Sequence, residues 1–282
     1  MTQTAVKVRG LTKRYREVRA VDGIDLTIAE GEVFAILGPN GAGKSTTVEI
    51  LEGYRRRDAG EVSVLGVDPA HPTRQWRDRI GIVLQTANDT AELTVRETVR
   101  HFAGYYPTAG DPDEVIARVG LTEQAGKRIR QLSGGQRRRV DVALGIVGRP
   151  RLLFLDEPTT GFDPEARRRF WELIEDLARD GTTIVLTTHY LDEAEALANR
   201  VAVIAQGRIV AEGRPATLGG RASAKATVSW LEGGERRRVE TGAPTETIVE
   251  LSGRLGGEIP ELTVTRPSLE DVYMNLIAEV PR

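Results

Sequence analysis

Cysteine is absent from this chain of 282 residues. Without it the protein can form no disulfide bond and no thiolate metal site, which agrees with a reducing cytosol. Apolar runs of about 18 residues are absent as well, so we expect no membrane-spanning helix. The N-terminal residues do not follow the charged-then-apolar plan of a secretion signal. We therefore expect a cytoplasmic protein.

An excess of charge of either sign is also absent, since the formal net charge is −2. Such a balance argues against broad, charge-driven binding of nucleic acid. Lysine is scarce, with 5 residues against 34 arginines, and we attribute most arginine clusters to solvated faces. The cluster at residues 137–139 lies beside a motif described below and has a stronger claim to a role.

Strand and helix patterns alternate along most of the chain and predict an α/β core. Short apolar runs typical of buried strands occur at residues 33–37, 80–84, 152–155 and 183–187. The alternating N-terminal pattern predicts an antiparallel sheet, and residues from about 90 to 148 are predicted to be helical. A glycine pair at residues 219–220 marks the boundary between a main domain, residues 1–217, and a small α+β appendage, residues 218–282.

A glycine-rich segment with a lysine follows the strand predicted at residues 33–37 and opens a helix. Its sequence, Gly-Pro-Asn-Gly-Ala-Gly-Lys-Ser, fits the phosphate-binding pattern G-x-x-x-x-G-K-[ST]. The glycines let backbone N–H groups surround phosphate oxygens, Lys44 would reach the β- and γ-phosphates, and Ser45 would bind Mg²⁺. The alternative is a glycine-rich turn with a surface lysine. The predicted nucleotide-binding residues are Gly38, Pro39, Asn40, Gly41, Ala42, Gly43, Lys44, Ser45 and Thr46.

An apolar strand at residues 152–155 delivers two acidic residues, Asp156 and Glu157, at its carboxyl end. Asp156 is suited to hold Mg²⁺ through water, and Glu157 is placed to orient the attacking water or to accept its proton. Many strands end in aspartate, so this pattern carries weight only because the lysine segment precedes it.

A second anion site is predicted at residues 132–136, Leu-Ser-Gly-Gly-Gln, immediately before a helix that we predict to begin near Arg137. Backbone amides and one hydroxyl at such a helix start can bind a phosphate. An ordinary helix cap would need Ser133 but not two adjacent glycines. The candidate binding residues are Ser133, Gly134, Gly135 and Gln136.

These motifs, in this order, closely resemble those of the ABC ATPase family, and the resemblance covers residues from about 5 to 215. It implies a P-loop NTPase core of the ABC ATPase type with an antiparallel β subdomain, a helical subdomain and the C-terminal α+β appendage. The family pattern also points to single residues. They are Tyr15, where the family places an aromatic that stacks on adenine, Gln85 after a strand, Asp163 in the segment Gly-Phe-Asp-Pro, and His189 at a strand end.

The resemblance implies a homodimer in which two chains, arranged head to tail, enclose two ATP molecules. Each site would pair the lysine loop of one chain with the second anion site of the other, where Ser133 and Gly135 would contact the γ-phosphate. Gln85 would touch Mg²⁺ and sense a membrane partner, His189 would hold the γ-phosphate and the water, and Asp163 would link the two sites. The predicted catalytic residues are Glu157, His189 and Gln85, and the predicted metal ligands are Ser45, Gln85 and Asp156.

Residues 267–273, Pro-Ser-Leu-Glu-Asp-Val-Tyr, and residues 93–97 are similar to segments of drug- and polyketide-resistance exporters of the ABC-2 type. The alternative for the first segment is an ordinary capped helix that begins at Ser268. The resemblance implies an ATPase subunit, peripheral on the inner face of the cell membrane, that drives a separately encoded permease. We expect export of a drug, natural product or lipid-like compound.

Two other functions fit parts of the sequence. A soluble ABC ATPase that acts on ribosomes or DNA would be expected to carry a second ATPase domain or a long coiled coil, and this sequence has neither pattern. A regulatory module that senses ATP without useful hydrolysis would not need Glu157 and His189.

Overall fold

The computed structural model describes residues 3–83 and 92–278. Gln85, one of the predicted site residues, and the end of the strand predicted at residues 80–84 lie outside these ranges. The chain divides into two compact units, residues 1–212 and 213–282. Within the described residues, no helix is both long and apolar enough to cross a membrane.

The first unit alternates strands with helices. Its strands are β1 (Thr4–Tyr15), β2 (Val18–Ala29), β3 (Val33–Leu37), β4 (Ala59–Val64), β5 (Ile80–Val83), β6 (Leu152–Asp156), β7 (Thr183–Thr188), β8 (Arg200–Ala205) and β9 (Arg208–Gly213). Its helices are α1 (Lys44–Leu51), α2 (Arg74–Arg77), α3 (Val95–Ala103), α4 (Pro112–Arg118), α5 (Gly134–Ile146), α6 (Pro164–Arg179) and α7 (Leu191–Leu197).

The main sheet of the first unit has the strand order β5-β6-β7-β3-β8-β9. β3 pairs in parallel with β7 and β8, and β6 pairs in parallel with β5 and β7. Every residue of β3 is buried, as expected for a strand covered on both faces. The strands predicted at residues 33–37, 152–155 and 183–187 are confirmed. Because they are parallel, the segments that follow them meet at one edge of the sheet.

The antiparallel sheet predicted from the N-terminal pattern is present, with the strand order β2-β1-β4. Along β1, Val6 and Val8 are fully buried whereas Lys7 between them is exposed, which is the period of two that a half-buried strand requires. β1 ends at Tyr15, which pairs with Val18 where the chain turns into β2.

The segment predicted to be helical contains α3, α4 and α5. Thr94 and Glu97 form a capping box at the start of α3. α5 begins at Gly134, earlier than the sequence suggests, because Ser133 caps it by accepting from the backbone N–H of Gln136. Both glycines of the Leu-Ser-Gly-Gly-Gln motif therefore belong to the first turn of α5 rather than to the loop before it.

The second unit is a small α+β structure. Its elements are β10 (Ala226–Glu232), β11 (Glu235–Thr241), α8 (Pro244–Leu255), β12 (Thr263–Thr265) and α9 (Leu269–Ala278), with the sheet order β11-β10-β12. Its core residues are Val228, Trp230, Leu251 and Ile259. Before α9, the hydroxyl of Ser268 accepts from the backbone N–H of Asp271 at 3.0 Å and donates to its carboxylate at 2.7 Å. This capping explains the Pro-Ser-Leu-Glu-Asp segment by local structure alone.

Candidate active site

A cavity of about 520 Å³ lies where the loop after β3 meets the ends of β1 and β6. It brings together most of the residues that the sequence predicts to bind a nucleotide. Ala20 of β2, which the sequence did not single out, joins them. The lining residues are Tyr15, Ala20, Asn40, Gly41, Gly43, Lys44, Ser45, Thr46 and Glu157.

Two glycines determine the shape of the loop after β3. Gly43 has a φ of 105°, and a Cβ atom there would lie 2.1 Å from the carbonyl oxygen of Ala20. Gly41 has a φ of 79°, in the left-handed region that other residues rarely adopt. With no side chains at these positions, the backbone can approach a phosphate closely.

The side chain of Lys44 is held inside this loop. Its Nζ atom donates to the carbonyl oxygens of Gly38 at 2.8 Å and Pro39 at 3.2 Å, and only 6% of the residue is exposed. Burial lowers the pKa of Lys44, and the negative charges of Glu157 and Asp156 oppose that shift. A buried ammonium group beside a glycine-rich helix start is a geometry suited to a phosphate.

Ser45 and Thr46 lie in the first turn of α1, at the end of the helix that carries its positive partial charge. Ser45 is exposed to the cavity, and Thr46 is half-buried. The predicted loop residues that do not line the cavity, within the described chain, are Gly38, Pro39 and Ala42. Gly38 is needed for packing, because a Cβ atom there would lie 2.3 Å from the carbonyl oxygen of Ile204.

Thr187, near the end of β7, organises the two carboxylates that follow β6. Its hydroxyl donates to Oδ1 of Asp156 and accepts from the backbone N–H of Glu157 at 3.1 Å. The same N–H donates to the carbonyl oxygen of Thr187 at 3.1 Å, and the φ of Glu157 is 45°, which is uncommon for a residue other than glycine. Thr187 was not predicted from the sequence, where its only signal is its place near the end of a strand, two residues before His189.

His189 follows β7 and faces Glu157. Its Nδ1 atom lies 3.4 Å from Oε2 of Glu157, and its ring packs against Tyr190 with centroids 4.1 Å apart. The side chain of His189 is 43% exposed and that of Glu157 is 16% exposed. A histidine and a carboxylate in this arrangement can hold a water molecule and exchange a proton with it.

The ring of Tyr15 forms one wall of the cavity and is partly exposed. The guanidinium carbon of Arg55 lies 5.3 Å from the ring centroid and Nζ of Lys13 lies 5.6 Å from it, both within cation–π range. Glu49 of α1 holds Arg55 by a hydrogen bond. Neither Arg55 nor Lys13 is among the described residues that line the cavity. The ring of Tyr15 therefore keeps a surface toward the cavity on which a base can stack.

The residues of the Leu-Ser-Gly-Gly-Gln motif lie outside this cavity. Ser133, Gly134, Gly135 and Gln136 form the start of α5, and none of them is among the described lining residues. The backbone N–H of Ser133 donates to Oε1 of Gln136 at 3.0 Å, and the hydroxyl of Ser133 accepts from the backbone N–H of Gln136 at 3.2 Å. One chain therefore does not bring its two predicted phosphate sites into one cavity.

Asp163 also lies outside the described lining of the cavity. It caps α6, since its Oδ1 atom accepts from the backbone N–H of Ala166 at 2.7 Å and Pro164 occupies the first helical position. The resemblance implied that Asp163 links two ATP sites. The structure shows only its capping of α6, so the link between sites stays a prediction.

The sequence profile of the ABC transporter family matches residues 21–160. The daunorubicin resistance ATP-binding protein DrrA3 of Streptomyces coeruleorubidus is 36% identical, over 99% of this chain and 98% of its own length. The Nod factor export ATP-binding protein I of Rhizobium sp. (strain N33) is 38% identical, over 98% of both chains. Among solved structures, the dimeric ATP-binding cassette MJ0796, in a post-hydrolysis state with ADP and Pi, is 28% identical. Its TM-score is 0.68, over 74% of this chain and 98% of its own.

The matched family segment contains the lysine loop, the Leu-Ser-Gly-Gly-Gln motif and both carboxylates that follow β6. The likeness to ATP-binding cassettes confirms the predicted fold, a P-loop NTPase core of the ABC ATPase type. The relatives named for resistance and export are similar over almost the whole chain. The chain therefore belongs to the ATP-binding proteins of ABC transporters, in the ABC-2 exporter subfamily, and it is an ATPase.

Proposed function

We propose that this ATPase is one of two identical subunits that close around two MgATP molecules and drive a separate membrane permease. The observation that carries the proposal is the division of the phosphate-binding parts. One cavity holds the lysine loop and Glu157, while the start of α5, at Ser133, lies outside it. A second chain arranged head to tail would supply the missing helix start to each site.

ATP would lie across the cavity from Tyr15 to Lys44. Its adenine would stack on the Tyr15 ring, and its phosphates would occupy the loop whose glycines leave the backbone uncovered. Lys44 would bind the β- and γ-phosphates. The binding residues proposed in the same chain are Tyr15, Gly38, Pro39, Asn40, Gly41, Ala42, Gly43, Lys44, Ser45 and Thr46.

The donors near the loop fit Mg²⁺, which prefers oxygen ligands and keeps several waters. Ser45 lines the cavity, and Asp156 accepts a hydrogen bond from the hydroxyl of Thr187. The described residues contain no cluster of three or more His, Asp or Glu side chains that could hold a metal by themselves. Ser45, Asp156 and Gln85 would therefore share the ion with phosphate oxygens, and the ion would neutralise charge on the phosphates.

Hydrolysis needs a positioned water and little covalent chemistry from the protein. Glu157 lines the cavity and would orient the water and accept its proton. His189, 3.4 Å from Glu157, would hold the γ-phosphate and the same water. Gln85 would sense the membrane partner.

Across the dimer interface, the start of α5 of the second subunit would cover the γ-phosphate. Its positive helix end and its uncovered glycine backbone suit an anion. The residues proposed for this contact are Ser133, Gly134, Gly135 and Gln136, with Asp163 linking the two sites.

The transport role is supported by the relatives, whose names include daunorubicin resistance and Nod factor export. We propose that residues 1–217 form the ATPase domain, that its helical subdomain at about 90–148 contacts the permease, and that residues 218–282 form an accessory domain. The protein would sit on the inner face of the cell membrane. Its cargo would be a drug, natural product or lipid-like compound, and it would not act on nucleic acid.

The experiment that tests this proposal is an affinity capture from detergent-solubilised membranes of the native host. Glu157→Gln protein with MgATP serves as bait, because we expect it to stay in the closed dimer. The matched control bait is Lys44→Ala, which should bind ATP more weakly, used at an ATP concentration that does not saturate it. Recovery of a multi-spanning membrane protein with the first bait and not with the second is the expected result. Recovery of ribosomal or DNA-bound proteins alone would overturn the transport role and leave the ATPase activity standing.

A further inference from the structure

Arg138 is buried on the second turn of α5, with 8% of the residue exposed. Its Nη2 atom donates to the carbonyl oxygen of Asp156 at 2.6 Å, and its Nε atom donates to the carbonyl oxygen of Pro158 at 3.2 Å. One guanidinium group therefore connects the signature helix, which we define as α5, to the segment that follows β6.

The two carbonyl groups lie on either side of Glu157. The backbone of Glu157 has a φ of 45°, a conformation that persists only where surrounding contacts maintain it. Thr187 binds the N–H group of Glu157 from β7, and Arg138 binds the carbonyl groups before and after it. The turn that directs Glu157 into the cavity is therefore fixed on both sides by side chains of other elements.

Burial of an arginine is costly unless its donors are satisfied. Burial lowers the pKa of Arg138, and the negative charges of Asp141, Asp156 and Glu193 oppose this shift. Arg139, the next residue, makes a different contact from that of Arg138. It is less buried, and its Nη1 atom donates to the carbonyl oxygen of Gly120 at 2.9 Å, within the helical region.

We propose that Arg138 is a positioning residue that holds Glu157 in its hydrolytic orientation and couples it to the signature helix. This inference rests on the proposed function, because it takes Glu157 as the residue that activates the water. The helix that carries Arg138 begins at Gly134 and is capped by Ser133, so movement of its N-terminus would reach the carbonyl groups of Asp156 and Pro158 through the buried, hydrogen-bonded side chain of Arg138. Each subunit would thus link the ATP it covers to the ATP it hydrolyses.

The test compares Arg138→Met, which keeps the length of the side chain and removes its donors, with Arg138→Lys, which keeps the charge and part of the donor capacity. We expect kcat of Arg138→Met to fall about tenfold to a hundredfold, the size of loss that a misplaced reacting group produces. The Kd for ATP should stay within about twofold, because Arg138 does not line the cavity. Arg138→Lys should recover part of kcat. Arg139→Met is the matched control, and its kcat should stay within about twofold of the wild type.

If the role of Arg138 were purely structural, Arg138→Met would lower ATP affinity and the melting temperature along with kcat. Arg138→Met and Arg139→Met would then have similar effects. The inference is overturned if folded Arg138→Met keeps a wild-type kcat, or if its ATP affinity falls as much as its kcat. Should Arg138→Met not fold, Arg138→Lys decides by the same two measurements. A wild-type protein without turnover would overturn the proposed function itself, whereas turnover that is insensitive to Arg138 would overturn only this inference.

Discussion

The Nδ1 atom of His189 lies 3.4 Å from Oε2 of Glu157, at the point where β6 and β7 end side by side. Both residues follow parallel strands, and Thr187 fixes the backbone N–H of Glu157. The pair is therefore placed by the sheet itself and not by a long loop. Rigid placement of this kind is what a water-activating site requires.

We expect Glu157→Gln to lose ATP turnover and to keep ATP binding. The substitution preserves the shape of the side chain and removes its ability to accept a proton, so kcat should fall at least about a hundredfold. Phosphate release and ATP titration measure the two quantities separately. Glu175→Gln, an exposed change on α6, serves as the matched control. Steady-state hydrolysis near the wild-type rate would contradict the role of Glu157.

Lys44→Ala should weaken nucleotide binding itself. The ammonium group is buried in the loop and bound by the carbonyl groups of Gly38 and Pro39, so the substitution takes away the cation that we propose to bind the phosphates. Loss of one charge-assisted contact corresponds to about tenfold to a hundredfold in Kd. Direct titration with ATP, and with AMP as a ligand that lacks the outer phosphates, measures the effect. Equal ATP affinity in the variant and the wild type would refute this role.

Tyr15→Ala should lower the affinity for ATP without changing the affinity for inorganic triphosphate. Stacking of a base on an aromatic ring contributes about 1–3 kcal/mol, so the Kd for ATP should rise about fivefold to 150-fold. Tyr15→Phe keeps the ring and should bind like the wild type. Arg55→Leu removes the cation–π partner and should give a smaller loss. An equal loss for ATP and triphosphate would show that Tyr15 acts on the loop and not on the base.

Much of the fold and site could be predicted from the sequence because the relevant signals are local. The apolar run of β3 and the glycines and lysine after it stand in one short segment, and their geometry follows from strand, turn and helix chemistry. The same holds for Asp156 and Glu157 at the end of β6. Parallel pairing of β3, β6 and β7 then brings these segments to one edge of the sheet.

The contacts that the sequence did not reveal are between distant elements. Thr187 and Ala20 contribute through strand pairing and close backbone approach, and Arg138 contributes through a reach from α5 to β6. The local sequence does not mark any of the three as a site residue. Thr187 is a polar residue in a strand, Ala20 is a small residue, and Arg138 stands in a run of three arginines. The early start of α5 was missed because the reciprocal capping of Ser133 and Gln136 extends the helix over both glycines.

Glu52, just after α1, makes the stability of the protein depend on pH. The residue is 7% exposed, and burial, together with the charges of Asp156 and Glu49, raises its pKa from 4.5 to about 7. The folded state therefore binds more protons than the unfolded state between these values, so this contribution to stability is present below pH 4.5 and lost as pH rises through about 7.

The Glu52→Gln variant should not show this loss of stability as pH rises. Relative to the wild type, the variant should gain up to about 3 kcal/mol of unfolding free energy between pH 4.5 and pH 8. Urea unfolding at several pH values, without nucleotide and with a chelator present, measures the difference. Glu61→Gln, an exposed change on β4, controls for the loss of one carboxylate. A difference between Glu52→Gln and wild type that does not change with pH would refute the buried, neutral carboxyl.

The proposed sharing of each ATP site between two subunits is tested most directly by subunit complementation of ATP hydrolysis. Lys44→Ala removes the cation of the lysine loop, and Ser133→Glu places a negative charge where the γ-phosphate would be covered, so at an ATP concentration that does not saturate the weakened loop each variant alone should have little activity. In a mixed dimer, one site would combine the intact lysine loop of the Ser133→Glu subunit with the intact start of α5 of the Lys44→Ala subunit. We expect the mixture to hydrolyse ATP well above the sum of its two parents. Activity no higher than that sum, in a mixture that forms dimers, would contradict a site built from two chains.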